Sequence, residues 1–96
     1  MSSLNKLLRV ERTLSIYLKK VDEPLQEIAL DIIPLDKLIE IVTPKIDDPY
    51  LYDAYKLSKK QIEKINQFLG EKIVTDFKKH DYFLVAGGIY DWQSDR

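Results

Sequence analysis

The sequence predicts an α+β fold: a single domain over residues 1–96 with the element order β-β-α-β-α-β, a largely antiparallel sheet and two helices packed on one face. Three observations support this prediction. Polar and apolar residues alternate along two neighbouring segments near the N-terminus, as they do in half-buried strands. Two later segments carry apolar residues at helical spacing. The 96 residues are 45% hydrophobic and 32% charged, a composition typical of a globular domain.

The first two elements are predicted to be strands over residues 9–20 and 25–32. In each, one parity is richer in apolar side chains than the other, as expected for a strand with one buried face. The connection Val21-Asp22-Glu23-Pro24 is polar and contains proline, which favours a chain reversal. Two strands joined by so short a connection predict an antiparallel hairpin.

The first helix is predicted to begin at Pro34, because the missing N–H of proline costs nothing in the first turn of a helix. Apolar residues then follow at helical spacing, and Thr43-Pro44 ends the helix because a residue before proline is disfavoured in the α region. The segment Asp47–Tyr55 comes next, and a short strand is predicted over residues 51–57. The apolar stripe of this helix consists of Leu35, Leu38, Ile39 and Val42.

The second helix is predicted to begin after Ser58, which has the capping-box spacing to Gln61. Gly70 stands where a left-handed C-terminal cap is expected. Residues 73–86 are predicted to form one or two strands, Gly87-Gly88 to break them, and residues 89–92 to form a final short extended segment. The buried face of this helix is predicted to consist of Leu57, Ile62, Ile65, Phe68 and Leu69.

Composition excludes several classes of protein. The chain has no cysteine, which rules out disulfides and thiolate metal sites. Its N-terminus lacks the apolar region of a signal peptide, and no stretch approaches the roughly 20 apolar residues that span a bilayer. We therefore predict a cytoplasmic protein with no membrane partner.

Charge is strongly segregated along the chain, although the net charge is only −1. Residues 21–55 contain nine Asp and Glu against two Lys, and the segments on either side are basic. A concentrated acidic region repels nucleic acid and attracts a basic protein partner. Alternatively, these carboxylates form a solvated face that the basic segments compensate in space, and the sequence leaves both interpretations open.

The segment Asp47–Tyr55 interleaves three tyrosines with three carboxylates and a proline. Aromatic side chains beside fixed negative charge suit a surface that binds a positively charged protein. Strand parity places two of the tyrosines on one face and Tyr55 on the other, so Tyr55 is expected to be structural. Turn-forming roles for the aspartates beside Pro49 are the alternative. The candidate partner-binding residues are Asp47, Asp48, Tyr50, Tyr52 and Asp53, together with Tyr90, Asp91 and Trp92 near the end of the sequence.

Catalytic and metal-binding patterns are weak. The single histidine, His80, precedes Asp81, but adjacent residues on a strand point to opposite faces, so we predict no catalytic residues. The aspartates of Asp47–Tyr55 lack the spacing of a calcium loop, and we predict neither a metal nor another cofactor. The lysines of the second helix have no aromatic stacking platform beside them, so nucleic-acid binding is not predicted. A hydrolase that uses His80 remains an alternative.

Several motifs together resemble a family of small bacterial proteins, the immunity proteins of contact-dependent growth inhibition and related polymorphic toxin systems. These motifs follow the predicted hairpin, and the resemblance covers residues 9–86. The motifs are Leu38–Val42, Asp47–Tyr55, Leu57-Ser58 with Gln61, and Asp81–Leu84.

The resemblance implies a cytoplasmic, non-enzymatic antidote that binds the C-terminal domain of a cognate toxin. Such toxins are often nucleases with basic clefts, and the antidote blocks the active site or the substrate cleft. A motif shared by antidotes of different toxins also suits a scaffold role, which would leave recognition to residues near 90–95. The alternative function is a small adaptor or homodimerisation module whose aromatic segment meets its own copy.

Overall fold

The computed structural model describes residues 5–70 and 72–92, and it describes side chains over residues 10–70 and 72–88. The predicted element order β-β-α-β-α-β is confirmed. None of the helices in these ranges is long and apolar enough to cross a membrane. The elements are β1 (Asn5–Leu18), β2 (Pro24–Ala29), α1 (Leu35–Val42), β3 (Tyr55–Lys56), α2 (Lys59–Asn66) and β4 (His80–Trp92).

The four strands form one antiparallel sheet in the order β2-β1-β4-β3. The predicted hairpin is confirmed as the β1–β2 pair. The last strand returns beside the first, and β1 and β4 pair from Asn5 opposite Trp92 to Leu18 opposite His80. The two long strands therefore occupy the centre of the sheet, and the short strands β2 and β3 form its edges.

The core lies between the sheet and the two helices. The even-numbered residues of the central strands face this side, and Leu14 and Leu84 are fully buried there. The helices contribute their apolar stripes, so the prediction of two helices on one face is confirmed. The core cluster consists of Leu14, Ile16, Leu30, Ile33, Leu38, Val42, Leu51, Leu57, Ile62, Ile65, Tyr82 and Leu84.

The opposite face of the sheet carries the odd-numbered residues of the central strands. Tyr17 and Phe83 meet there edge to face with ring centroids 5.5 Å apart. Both side chains are half-buried, whereas Ser15, directly opposite Phe83 in the sheet, is 1% exposed. Both helices bury their stripes on the other side, so this face is not covered by α1 or α2.

The start of α2 follows the sequence prediction, but its end does not. The capping box is confirmed: the Ser58 hydroxyl accepts from the N–H of Gln61, and the Gln61 side chain accepts from the N–H of Ser58. The helix ends at Asn66, and Gly70 does not have a positive φ, so the predicted C-cap is wrong. The Asn66 side chain instead bonds the backbone N–H and C=O of Ile73, which ties the irregular chain after the helix back to the helix end.

The strand predictions in the last third also need correction. Residues 73–79 are irregular, and β4 begins at His80. The predicted break at Gly87-Gly88 is wrong because both glycines pair with β1, opposite Glu11 and Val10, and β4 runs through them. The predicted strand over residues 51–57 is reduced to Tyr55–Lys56.

Candidate functional site

The loop between α1 and β3, residues 43–54, is organised around the carboxylate of Asp48. This side chain lies inside the loop, since only 6% of the residue is exposed. It accepts three hydrogen bonds: from the N–H of Tyr52 at 2.9 Å, from the N–H of Asp53 at 3.0 Å and from the hydroxyl of Tyr55 at 2.6 Å. Charge-assisted bonds of this kind are stronger than neutral ones, so the carboxylate fixes the path of the backbone around it.

The pKa values of Asp48 and Tyr55 reflect this geometry. The hydrogen bond from Tyr55, assisted by the two backbone N–H groups, holds the pKa of Asp48 below its ordinary value. Burial, together with the bond to Asp48, raises the pKa of Tyr55. The Tyr55 hydroxyl also accepts from the N–H of Lys45 at 3.1 Å. Asp48 is therefore charged and Tyr55 neutral near pH 7, the combination in which this network is complete.

Leu51 anchors the loop in the core. Its side chain is fully buried, and its backbone has a φ of 59°, in the left-handed region. That conformation costs an L-residue about 1–2 kcal/mol, and burying a leucine side chain contributes about 1.5–3 kcal/mol. The burial term is the larger of the two, so the leucine keeps this conformation. Its N–H also donates to the carbonyl of Asp48 at 3.2 Å.

The same loop exposes a group of apolar side chains. Tyr50 and Tyr52 are each 55% exposed, and their rings meet edge to face with centroids 6.4 Å apart. Arg12 of β1 donates to the carbonyl oxygen of Tyr50 at 2.6 Å, and its guanidinium carbon lies 5.6 Å from the centre of the Tyr52 ring. Ile46, in the same loop, is completely exposed. The loop thus presents apolar surface on a backbone that internal hydrogen bonds hold in place.

The loop exposes less unpaired negative charge than its sequence indicates. One of the three carboxylates, Asp48, is buried in the network described above. A second, Asp53, lies 2.8 Å from the ammonium group of Lys45, and this contact raises the pKa of the lysine. Asp47 is exposed and has no ion pair with another described residue. The exposed tyrosines, rather than the carboxylates, therefore distinguish this loop.

The sequence-predicted site residues lie in different surroundings in the structure. The expected exposure of Tyr50 or Tyr52 and the structural role of Tyr55 are confirmed, and Asp48 takes the turn-forming role that was the alternative for it. The backbone of residues 90–92 belongs to β4 and pairs with residues 5–7 of β1. The side chains of Tyr90, Asp91 and Trp92 lie outside the part of the chain whose side chains the structure describes.

Two residues of the loop surface were missed by sequence reasoning. The sequence could have indicated Ile46, since an isolated isoleucine between Lys45 and Asp47 belongs to neither the helix stripe nor the strand pattern. It could also have indicated Arg12, because this charged residue lies on the core-facing parity of a strand. Its Nε atom is buried and has no hydrogen-bond partner among the described residues, while its Nη2 atom donates to the carbonyl oxygen of Tyr50.

His80 and Asp81 lie on opposite faces of β4, as strand parity predicted. The His80 ring is on the helix side, with its centre 6.2 Å from that of Tyr82. Asp81 is on the other face, where its carboxylate lies 2.6 Å from Lys19 and 3.6 Å from Lys56, and the bond to Lys19 lowers the pKa of Asp81. Within the described ranges, no group of three or more His, Asp or Glu side chains is arranged to hold a metal ion.

A comparison with protein-family models matches residues 11–85 to the domain of unknown function DUF7683. The chain belongs to this family. A search of curated proteins and a search of solved structures each found no match. The matched residues extend from β1 into β4, so the family includes both helices and the whole loop around Asp48.

Proposed function

We propose that this DUF7683 protein is an immunity protein. In this proposal it binds the toxin domain of a cognate contact-dependent growth inhibition system, a nuclease, and covers its active site or substrate cleft. The class of function comes from the resemblance of the motifs. The structural observation that carries the proposal is the loop of residues 43–54, which holds Tyr50 and Tyr52 exposed on a fixed backbone.

A fixed loop with exposed tyrosines suits tight binding for an energetic reason. Association costs free energy wherever side chains and loops must be ordered, and a backbone that is already ordered avoids much of that cost. Tyrosine has only two side-chain torsions to fix and buries a large area, so it is frequent among residues that dominate binding energy. The bonds to Asp48 supply the order, and the tyrosines supply the area.

Charge supports a basic partner. A cleft that binds the phosphate backbone is rich in lysine and arginine, and negative charge on the inhibitor steers the encounter. Apart from Asp47 and the ion-paired Asp53, the exposed carboxylates of the acidic segment lie outside the loop. Those that are exposed and have no ion pair with another described residue are Asp22, Glu23, Glu27, Asp31, Asp36 and Asp47.

The function is tested by expressing the gene alone and together with its immediate upstream open reading frame. The C-terminal domain of the upstream product is expected to be lethal by itself and harmless when this chain is present. The two chains are expected to co-purify as a stoichiometric complex. A harmless upstream product, or one that does not bind, would contradict the proposal.

The role of the loop is tested on that complex by calorimetry. Tyr50→Ala is expected to weaken binding by about 2 kcal/mol or more, roughly 30-fold, as truncation of an aromatic hot spot does. Tyr50 is a better choice than Tyr52, whose ring also lies over Arg12. Ile32→Ala is the matched control because Ile32 is 64% exposed and lies outside the loop. If a folded Tyr50→Ala variant binds as tightly as wild type, the loop does not contact the toxin. The proposal of an immunity protein would then still be supported by rescue from the lethal upstream product.

A homodimerisation module is the second candidate, and one observation favours it. The sheet face that α1 and α2 leave uncovered carries the half-buried pair Tyr17 and Phe83. Light scattering on the purified protein separates the two proposals. A tight dimer without any partner, dissociated by Tyr17→Ala, would favour the module, whereas a monomer that binds the upstream product would favour the antidote.

A further inference from the structure

Among the strands that the structure describes, β2 has a neighbour on one side only. The N–H of Leu30 donates to the carbonyl of Arg12 at 2.9 Å. Every second residue of β2 therefore directs its backbone groups to β1, and the next two are Ile28 opposite Leu14 and Gln26 opposite Ile16. Because successive residues of a strand direct their backbone groups to opposite sides, the N–H and C=O groups of the intervening residues point away from β1. These residues are Glu27 and Ala29, and no further hydrogen bond to their backbone is found among the described residues. Leu25 lies at the β-bulge where the register shifts between Ile16 and Tyr17, so the alternation does not extend to it.

Along residues 26–29 this edge has little of the usual protection against strand pairing, because the β-bulge lies at the start of the strand. Natural edge strands are often blocked by lysine, by proline within the strand or by a covering segment. β2 contains no lysine, and its proline is the first residue of the strand. Leu25 is 59% exposed. The edge is therefore accessible to an extended segment of another chain, which would add to the sheet through backbone hydrogen bonds.

The charge along this edge is negative. Glu27 lies within β2, Asp22 and Glu23 precede the strand, and Asp31 follows it. All four side chains are exposed, and none forms an ion pair with another described residue. The nearest cation along the chain is Lys20 of the preceding turn. A segment that docks here gains from carrying positive charge, since opposite charges on neighbouring strands stabilise a sheet.

An apolar cleft lies beside the same strand on the helix side of the sheet. Its volume is about 400 Å³, and most of its wall is apolar. Gln26 and Ile28 direct their side chains towards this side, whereas Glu27 directs its side chain to the opposite face. An added strand would follow the same alternation, with one parity in the cleft and the other beside Glu27. The lining includes Ile16, Ile28, Leu69, Ile73 and Val74.

We propose that the free edge of β2 is a strand-addition site for an extended protein segment in which basic and apolar side chains alternate. The backbone of the segment bonds to Glu27 and Ala29. Its apolar side chains enter the cleft beside Ile28, and its lysines or arginines lie next to Glu27. The site is distinct from the loop of residues 43–54, and the inference does not require the partner to be a toxin.

A second copy of the chain is a poorer occupant for electrostatic reasons. An antiparallel pair of β2 strands centred on Glu27 places this glutamate directly opposite its own counterpart. Like charges in that position destabilise a sheet. The carboxylates at the two ends of each edge, Glu23 and Asp31, would also face each other in this register, and no lysine of β2 is present to offset them.

The probe for the test is a peptide of about ten residues with alternating lysine and valine and blocked ends. It is added to the isotope-labelled, full-length protein, and backbone amides are followed by NMR and hydrogen exchange. Binding is expected to shift the resonances of β2 and to slow exchange of the outward N–H groups of Glu27 and Ala29. A peptide of alternating glutamate and valine is expected not to bind. A lysine–valine peptide whose backbone amides are methylated along one edge is also expected not to bind, because those amides cannot donate hydrogen bonds.

Two variants test the backbone and the charge separately. Ala29→Pro removes an outward N–H that β1 does not use, so the strand is expected to remain and peptide affinity to fall about tenfold. Glu27→Lys is expected to lower the affinity for the basic peptide by a similar factor. Glu63→Lys, an equal charge reversal at an exposed position of α2, is the control and is expected to leave affinity unchanged.

Four results would overturn the inference. The first is absence of binding at millimolar peptide, and the second is equal binding of the acidic peptide. The third is unchanged affinity of a folded Ala29→Pro variant, which would show that the outward backbone groups are not used. The fourth is a dimer of the wild-type protein that Ala29→Pro dissociates, which would assign the edge to a second copy.

Discussion

Asp48 and Glu27 belong to the same acidic segment of the sequence but occupy opposite environments in the fold. Asp48 is buried, and its carboxylate accepts bonds from Tyr52, Asp53 and Tyr55. Glu27 is exposed on an edge strand beside backbone groups that have no partner among the described residues. The comparison shows that a run of carboxylates in a sequence is not one surface. The donors near each carboxylate decide whether it stabilises the fold or remains free for a partner.

The strongest test of this contrast is Asp48→Asn. The amide has one acceptor oxygen where the carboxylate has two, so the donors that now share the carboxylate cannot all be satisfied. We expect the melting temperature to fall by roughly 5–10 °C, the largest effect among these predictions. Thermal melts followed by circular dichroism measure it. Asp47→Asn is the matched control at the neighbouring exposed position, and equal melting of the two variants would refute the role assigned to Asp48.

The second test is acid titration of stability. The folded-state pKa of Asp48 is lowered below the ordinary value of 3.8, so its contribution is fully present above that value and is lost as pH falls through the folded pKa. The pKa of Asp81 is lowered as well, which adds a loss in the same pH range. We expect the wild-type melting temperature to drop below about pH 4 and its difference from Asp48→Asn to narrow there. A difference that stays constant from pH 6 to about pH 2 would contradict this prediction.

The third test removes a single donor from the network by Tyr55→Phe. This change deletes the hydroxyl that donates to Asp48 and accepts from the N–H of Lys45, while Asp48 keeps its two backbone donors. We expect a smaller fall in melting temperature than for Asp48→Asn, about 3–6 °C. At alkaline pH the difference between wild type and Tyr55→Phe is expected to narrow. The raised pKa of Tyr55 gives stability that is lost as pH rises through the folded pKa, and Tyr55→Phe lacks this loss.

Melts of both proteins from pH 8 to about pH 11 measure this alkaline effect. Wild type and Tyr55→Phe should approach each other at the upper end of the range. A gap that widens with rising pH would show that the hydroxyl does not stabilise the loop in its neutral form.

Local patterns in the sequence were sufficient for the elements whose stability is local. The capping box of Ser58 and Gln61 and the hairpin of β1 and β2 follow from residue spacing alone. The path of β4 through Gly87-Gly88 did not follow, because its hydrogen bonds are made to β1, more than seventy residues earlier in the chain. Glycine weakens a strand by itself, but long-range pairing overrides that preference here.

The candidate site was predicted only in part, for a similar reason. Proximity in sequence placed the tyrosines and aspartates of the loop together, and parity separated Tyr55 from Tyr50 and Tyr52. The burial of Asp48 depends on where the Tyr55 hydroxyl and two backbone N–H groups lie after folding, which spacing does not specify. The free edge of β2 is likewise a property of strand order, because β4 pairs with β1 and not with the outer side of β2.

The smallest expected effect on stability is that of Glu27→Gln. Glu27 has no ion pair with another described residue, and it lies near other carboxylates, so removing its charge is expected to change the free energy of unfolding by no more than about 0.5 kcal/mol. Urea unfolding at low and at high salt measures this difference. Any change should be a slight stabilisation that salt removes, because salt screens repulsion between exposed charges. A destabilisation as large as that of Asp48→Asn would mean that Glu27 has an internal role, and the contrast between the two carboxylates would fail. A neutral result, combined with weaker binding of a basic peptide by Glu27→Lys, would assign this charge to a partner rather than to the fold.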